Sequence, residues 1–259
     1  MYDDEKLRWL IQYMAEEMNF SKISLPTSQD QLWSLYRGLA NRRPPDPVTQ
    51  EFLEIQDQLL SEIRENRGVV GLMDAQRIGP NLFLWQGDIT RLQVDGIVNA
   101  ANGRMLGCFV PGHHCIDNAI HTYAGVQLRL ECNRLMLAKG HFEETGRAIL
   151  TSAYNLPAKY ILHTVGPIAS DGRVSEEQEM LLASSYRACL QIAVDHGLES
   201  LAFCSISTGV FGFPKPQAAD IALKTIMGFQ LDTGSEMDIL IDVFSDEDYR
   251  IYKEAIQAL

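Results

Sequence analysis

Two thiols and an imidazole lie close together in the segment Gly107-Cys108-Phe109-Val110-Pro111-Gly112-His113-His114-Cys115. Cys108, His113 and Cys115 offer two soft sulfur ligands and one nitrogen ligand, a set that suits Zn²⁺. Structural zinc sites normally have four protein ligands, whereas catalytic sites leave one position for water or substrate. The three ligands therefore predict one Zn²⁺ per chain with an open coordination position.

Two other interpretations of this segment stay open. Buried thiols beside a hydrogen-bonded histidine would need no metal, and a closed structural zinc site would need a fourth ligand. His114 and Cys132 are the residues that could supply one. The remaining cysteines, Cys189 and Cys204, are predicted to be core residues because they lie in apolar stretches.

A carboxylate follows the segment directly, in Ile116-Asp117-Asn118-Ala119-Ile120-His121. These residues are predicted to begin a helix, and a carboxylate in the first turn is kept ionised by the helix dipole. Asp117 can then polarise a water or a ribose hydroxyl, although a plain helix charge is an equal alternative. His121 and His163 are predicted to be structural histidines.

Three more loops follow predicted strands and offer partners for the parts of a nucleotide. The carboxylate and backbone amides of Gly87-Asp88-Ile89-Thr90 suit a purine, and the carboxamides of Val98-Asn99-Ala100-Ala101-Asn102 suit ribose hydroxyls. Hydroxyls and consecutive N–H groups in the segment from Ser207 to Pro214 can hold a diphosphate, and two glycines allow close approach. Each loop alone is equally typical of a turn or helix cap.

Charge and composition exclude several other classes. The net charge of −12 argues against nonspecific nucleic-acid binding, since no basic stripe is available to displace counterions. Neither a P-loop nor a G-x-G-x-x-G fingerprint is present. Apolar runs are too short for a membrane span, and the acidic start of the chain lacks the pattern of a signal peptide. We therefore expect a protein of the reducing cytoplasm.

The pattern of apolar residues divides the chain in two. Residues 1–67 are predicted to be an all-helical N-terminal extension, with a Ser28-x-x-Gln31 capping box and a third helix capped by Asp46 ahead of Pro47. Residues 68–259 alternate short apolar strands with helices, which predicts a three-layer α/β/α sandwich with a mixed central sheet. The predicted strands are Val69 to Met73, Leu82 to Gln86, Gly96 to Ala100, Ala148 to Ala153, Tyr160 to Val165, Leu201 to Ile206 and Ile239 to Phe244. The predicted helices are 116–137, 176–196, 215–230 and 246–257. Ligands of such sheets bind beyond the carboxyl ends of strands, where the loops above lie.

Taken together, these segments resemble the macrodomain family over roughly residues 68 to 259, and they occur in the order found in that family. Tyr154-Asn155-Leu156-Pro157 through His163-Thr164-Val165-Gly166-Pro167 also resembles its central strand pair. The resemblance implies an ADP-ribose site, with Asp117 and Asn102 as catalytic residues. The ligand contacts it implies are Asp88, Ile89, Asn99, Asn102, Ile116, Asp117, Asn118, Ser207, Thr208, Gly209, Val210 and Phe211.

One departure from MacroD-type hydrolases is informative, because the Cys108 to Cys115 segment replaces their glycine run. That replacement and the N-terminal helices are similar to the zinc-dependent macrodomains associated with microbial sirtuin-type ADP-ribosyltransferases. The resemblance implies a zinc-dependent hydrolase that removes mono-ADP-ribose from acidic side chains of a modified protein, such as a lipoyl-carrier relative. The alternatives are a non-catalytic ADP-ribose reader with a zinc-shaped pocket and an unrelated α/β enzyme with a structural zinc.

Overall fold

Three amphipathic helices open the chain in the computed structural model, which describes residues 2–20, 23–169 and 172–258. They are α1 (Asp4–Glu17), α2 (Gln29–Arg42) and α3 (Gln50–Arg67). Their apolar faces meet in a core of their own, to which Val126 of the following domain also contributes. Its buried members include Leu7, Leu10, Ile11, Met14, Leu32, Tyr36, Leu39, Phe52, Leu59, Leu60 and Ile63. The prediction of an all-helical extension is confirmed.

Helix caps match the prediction at α2 but not at α3. The Ser28 hydroxyl accepts a hydrogen bond from the Gln31 amide, as the capping pattern predicts. The predicted Asp46 cap is wrong, since Thr49 caps α3 by accepting from the Phe52 amide. The carbonyl of Pro47 accepts a hydrogen bond from Arg43, and the helix begins only after Thr49.

Nine strands follow among the described residues, and seven of them form one sheet. The seven are β2 (Gln76–Gly79), β3 (Leu82–Gln86), β5 (Gly96–Ala100), β6 (Ala148–Ser152), β7 (Tyr160–Thr164), β8 (Ser200–Phe203) and β9 (Asp238–Val243). Their order is β2-β3-β9-β8-β5-β7-β6, and the two edge strands pair antiparallel while the inner five are parallel. The remaining two, β1 (Val70–Gly71) and β4 (Leu92–Gln93), form a separate parallel pair. The predicted mixed sheet is confirmed.

Five helices flank this sheet. They are α4 (Ile116–Ala124), α5 (Val126–Lys139), α6 (Glu176–Asp195), α7 (Lys215–Thr233) and α8 (Asp246–Gln257). The prediction of one helix over 116–137 is wrong, because Gly125 has a φ of 95° and separates α4 from α5. Across this break, the buried Gln56 side chain of α3 accepts from the Val126 amide and so caps α5. The extension therefore completes a helix of the sheet domain.

Two strand predictions also need correction. The strand predicted from Val69 to Met73 is reduced to Val70–Gly71, and a short 3-10 helix over Leu72–Asp74 follows it. Edge strand β2 escaped prediction because Gln76 and Arg77 are polar and exposed, which is typical of a loop. By contrast, the inner strand β5 is an apolar run with four of its five residues buried, as expected when helices cover both faces.

The parallel inner strands bring their carboxyl ends to one side of the sheet, where loops from distant parts of the chain meet. No helix in the described ranges is long and apolar enough to cross a membrane.

The Gln56 contact predicts a measurable link between the extension and the sheet domain. Gln56→Ala removes the acceptor of the buried Val126 amide and the donor to Gln127. We expect the free energy of unfolding to fall by about 2 kcal/mol, since an unpaired buried amide is costly. Gln50→Ala on the exposed start of the same helix is the matched control, and urea titration of both variants measures the difference. Equal destabilisation by the two changes would contradict this role for Gln56.

Candidate functional site

A cleft of about 1160 Å³ opens at the carboxyl ends of the inner strands. The loops after β3, β5, β7, β8 and β9 line it, together with the segment that precedes α4 and with one residue of α2. Most of the residues singled out in the sequence line this cleft: Asp88, Ile89, Asn102, Cys108, His113, Cys115, Ile116, Asp117, Ser207, Thr208, Gly209, Val210 and Phe211. Asn99 and Asn118 do not, because both are wholly buried.

Cys108, His113 and Cys115 converge at one end of the cleft. Their ligand atoms lie within 4.8 Å of one another, and the Cys108 Sγ is 3.6 Å from the His113 Nδ1. Within the described part of the chain, neither His114 nor Cys132 belongs to this group. Two sulfurs and one imidazole nitrogen at such separations fit Zn²⁺, so the donor set matches the predicted metal.

The Cys-His-Cys segment, residues 107–115, is fastened to the start of α4. Cys115 is the N-cap of that helix, and its Sγ accepts from the Asn118 amide. The Asn118 side chain donates to the Val110 carbonyl. Gly107 has a φ of 80°, and a Cβ there would lie 2.8 Å from the ring of His121. The segment therefore crosses α4 so closely that only glycine fits.

The N-terminal extension holds the same segment from the other side. Arg37 of α2 donates to the His113 carbonyl and to the Asn118 side chain, and Asn41 accepts from the Gly112 amide. These residues lie more than seventy positions away in sequence. Sequence reasoning missed them because a polar residue on a helix does not show which distant segment it contacts.

Asp117 follows the Cys-His-Cys segment and lies in the first turn of α4, as predicted. Its Oδ1 accepts from the Asn99 amide at 2.8 Å, and its Oδ2 accepts from the Asn102 amide at 3.4 Å. Burial raises the pKa of Asp117 to about 6, although both hydrogen bonds and the charge of Arg129 act in the opposite direction. The carboxylate is consequently still ionised at neutral pH.

Asn99 supports Asp117 and does not form part of the cleft wall. Its amide also donates to the His163 Nδ1 at 3.0 Å, so the proton of this ring is on Nε2, which donates to Thr151. Burial lowers the pKa of His163 to about 3, which keeps the imidazole neutral. This chain from Thr151 through His163 fixes the orientation of Asn99 behind the cleft wall. The contact of Asn99 with a ligand stays a prediction.

Asn118 is likewise a structural residue. Its side chain joins Arg37 to the Val110 carbonyl and is wholly buried behind the Cys-His-Cys segment. In this structure the Asn118 side chain supports the segment that lines the cleft, and its contact with a ligand stays a prediction.

Three carboxyl groups besides Asp117 line the cleft, those of Asp88, Asp242 and Asp248. Asp88 lines it and also caps the 3-10 turn Ile89–Arg91 by accepting from Thr90, while Arg67 of α3 pairs with its other oxygen. Asp242 was missed by sequence reasoning, yet it lines the cleft and one of its oxygens is buried without a partner in the described ranges. Burial, and next the charge of Asp88, raise the pKa of Asp242 well above its usual range. The signal that could have revealed Asp242 in the sequence is its carboxylate within the otherwise apolar run that follows Asp238 in β9.

The segment Ser207 to Phe211 forms the remaining wall. Ser207 has a φ of 66°, and its Oγ is buried without a hydrogen-bond partner among the described residues. A Cβ at Gly166 would lie 2.0 Å from this oxygen, so only glycine allows the two backbones to approach so closely. The unpartnered hydroxyl and the left-handed backbone are features of a ligand-binding loop.

Two glycines of the Cys-His-Cys segment make a matched test of its packing. Gly107 and Gly112 both have left-handed backbones, but a Cβ at Gly112 meets nothing within 4 Å. We expect Gly107→Ala to lower the free energy of unfolding by about 2 kcal/mol more than Gly112→Ala, because only the former also clashes with His121. Chemical denaturation of both variants measures this difference, and equal losses would show that the contact with His121 is unimportant.

Comparisons with known proteins found relatives over most of the chain. A family model described as Macro domain matches residues 98–222. A protein-ADP-ribose hydrolase of Staphylococcus aureus (strain MSSA476) is 48% identical over 252 residues, covering 96% of this chain and 94% of the relative. One of Treponema medium is 46% identical over 259 residues, covering 98% and 99%. The crystal structure of a Trypanosoma brucei macrodomain in complex with ADP-ribose matches with a TM-score of 0.65 and 32% identity, covering 82% of this chain and 92% of that one.

Proposed function

Because this chain belongs to the macrodomain family, we propose that it binds ADP-ribose and hydrolyses mono-ADP-ribose from acidic side chains of modified proteins. The observation that carries the proposal is the arrangement at one end of the cleft. There the ionised Asp117 lies beside Asn102 and the Cys-His-Cys ligands, and all of them line one cavity. The names of the two hydrolase relatives and the ADP-ribose complex of the trypanosomal macrodomain support it.

The proposed orientation of ADP-ribose follows from the chemistry of each wall. The adenine lies against Asp88 and Ile89, and the diphosphate lies against the backbone amides from Ser207 to Phe211. The distal ribose then reaches Asn102 and the Cys-His-Cys ligands. In this orientation the carbon attached to the modified side chain lies next to Asp117.

Asp117 has the protonation state and support that this hydrolysis needs. Water adds across the ester link, so that the products are ADP-ribose and the free carboxylate of the modified side chain. Asp117 orients the water and accepts its proton, while the Asn99 and Asn102 amides hold the carboxylate in place. Asn102 also lines the cleft and is placed to contact the ribose.

In this proposal Cys108, His113 and Cys115 hold one Zn²⁺. When bound, zinc polarises a ribose or ester oxygen or lowers the pKa of a bound water. The chain itself fixes the three ligands, since Arg37 and Asn118 fasten the segment that carries them. We assign the protein on this basis to the zinc-dependent macrodomains of the sirtuin-associated group, with a modified protein such as a lipoyl-carrier relative as its cytoplasmic partner.

The role of Asp117 is tested by Asp117→Asn, which keeps the size of the side chain but cannot take up a proton from water. We expect turnover of a glutamate-linked ADP-ribosyl peptide to fall by about 100-fold or more, as is typical when a general base is lost. Calorimetry should show that affinity for free ADP-ribose is retained. Asp232→Asn on the exposed face of α7 is the control. Unchanged turnover in Asp117→Asn would remove this residue from the mechanism and favour a reader function if wild type is also inactive.

The metal is tested separately by Cys108→Ala. We expect this variant to lose the bound zinc and turnover, because two ligands hold the ion much more weakly than three. Metal analysis of each purified protein measures zinc per chain, and a hydrolysis assay with and without chelator measures dependence on it. His196→Ala, an exposed histidine at the end of α6, is the control and should keep one zinc. Full activity of metal-free wild type would contradict zinc dependence.

A further inference from the structure

One residue of the cleft wall comes from the N-terminal extension, and the function proposed above uses it only to fasten the Cys-His-Cys segment. Arg37 of α2 lines the cleft beside the Cys-His-Cys segment. We propose that Arg37 is a specificity-determining residue, which recognises the side-chain carboxylate that hydrolysis releases from ADP-ribose. This inference rests on the proposed hydrolase function and names the group that selects acidic side chains.

The guanidinium of Arg37 is held along one edge only. Its Nε and Nη2 both donate to the Asn118 Oδ1, at 3.0 and 2.8 Å, and Nη2 also donates to the His113 carbonyl at 2.9 Å. The acceptor is itself fixed, because Asn118 donates to the Val110 carbonyl. The remaining nitrogen, Nη1, makes no hydrogen bond to any residue in the described ranges. The structure thus presents an oriented cation with donor capacity left over.

The position of this cation matches the place where the modified side chain must lie. Arg37 contacts the backbone of His113, so it lies at the end of the cleft to which the distal ribose is assigned. The other cation of the described lining, Arg104, is exposed and lies over the ring of Phe142 at 5.8 Å. Of these two arginines, Arg37 is the one that hydrogen bonds hold in a fixed orientation beside the Cys-His-Cys segment.

The charge of the leaving group changes during the reaction, and this decides what Arg37 contributes. An ester-linked carboxyl group is neutral, whereas the released side chain is an anion. A fixed guanidinium interacts more strongly with the developing carboxylate than with the ester, so it accelerates the chemical step more than it strengthens binding. A cationic or neutral leaving group would gain no such stabilisation, which favours acidic side chains as the attachment site.

Variants of Arg37 test the inference in the full-length protein. Arg37→Gln removes the charge but keeps hydrogen-bonding capacity, and Arg37→Lys keeps the charge but loses the planar fork. With a glutamate-linked ADP-ribosyl peptide, we expect Arg37→Gln to lower kcat by about 10- to 100-fold with little change in KM. Arg37→Lys should recover part of this loss. Arg42→Gln, an exposed arginine near the end of the same helix, is the control.

Two further measurements separate recognition from mere support of the segment. Free ADP-ribose contains no leaving carboxylate, so its affinity by calorimetry should be unchanged in Arg37→Gln. The amide introduced by this change can still donate to the His113 carbonyl and hold the segment, so zinc per chain should also be kept. If either falls together with kcat, and Arg37→Lys recovers nothing, Arg37 is only a support and the inference is overturned. The inference is also overturned if the wild type hydrolyses the peptide and Arg37→Gln does so with the same kcat. An inactive wild type would instead refute the hydrolase proposal itself.

Discussion

The buried guanidinium of Arg129 links three parts of the molecule on which the site depends: α5, the end of α2 and the chain just before the Cys-His-Cys segment. It donates to the carbonyls of Ala40, Asn41 and Arg43 at the end of α2, and to the carbonyl of Leu106 just before the Cys-His-Cys segment. Burial lowers its pKa to about 10, so the group is still charged at neutral pH. A buried charge without partners is strongly destabilising, and four carbonyls on two separate segments are needed to compensate it.

Because Arg129 bonds to carbonyls at the end of α2, the N-terminal extension is part of the structure that supports the site. The carbonyls at the end of α2 have no helical partners, and Arg129 supplies donors for them. A stack of aromatic rings continues the same interface, since Trp33 of α2 stacks on Tyr123 of α4 with centroids 5.6 Å apart. The guanidinium of Arg67 also lies over Tyr123, 3.9 Å from the ring centroid, and pairs with Asp88. The extension therefore contacts both ends of the cleft.

How much of this could be predicted from the sequence depends on how local each feature is. The convergence of Cys108, His113 and Cys115 was predictable because all three lie in one short segment, and the place of Asp117 in the first turn of α4 was predictable because it follows them at the start of a helix. The contact of Asn99 with His163 was not predictable, because the pattern could not show which way the polar residue at the end of β5 faces. The break at Gly125 was hidden for a similar reason, since its cap is supplied by Gln56 from a different helix.

The distribution of charge along the cleft explains how so acidic a chain can bind an anionic ligand. With a net charge of −12, long-range attraction for a diphosphate is absent, so binding must come from local dipoles. The loop from Ser207 to Phe211 has no cationic residue, and its backbone amides and the Ser207 hydroxyl, which has no partner among the described residues, can serve that role without adding charge. The fixed cation, Arg37, lies instead beside the Cys-His-Cys ligands. Backbone dipoles thus suit the diphosphate, whose charge does not change. The full positive charge of Arg37 lies where the proposed reaction releases a carboxylate.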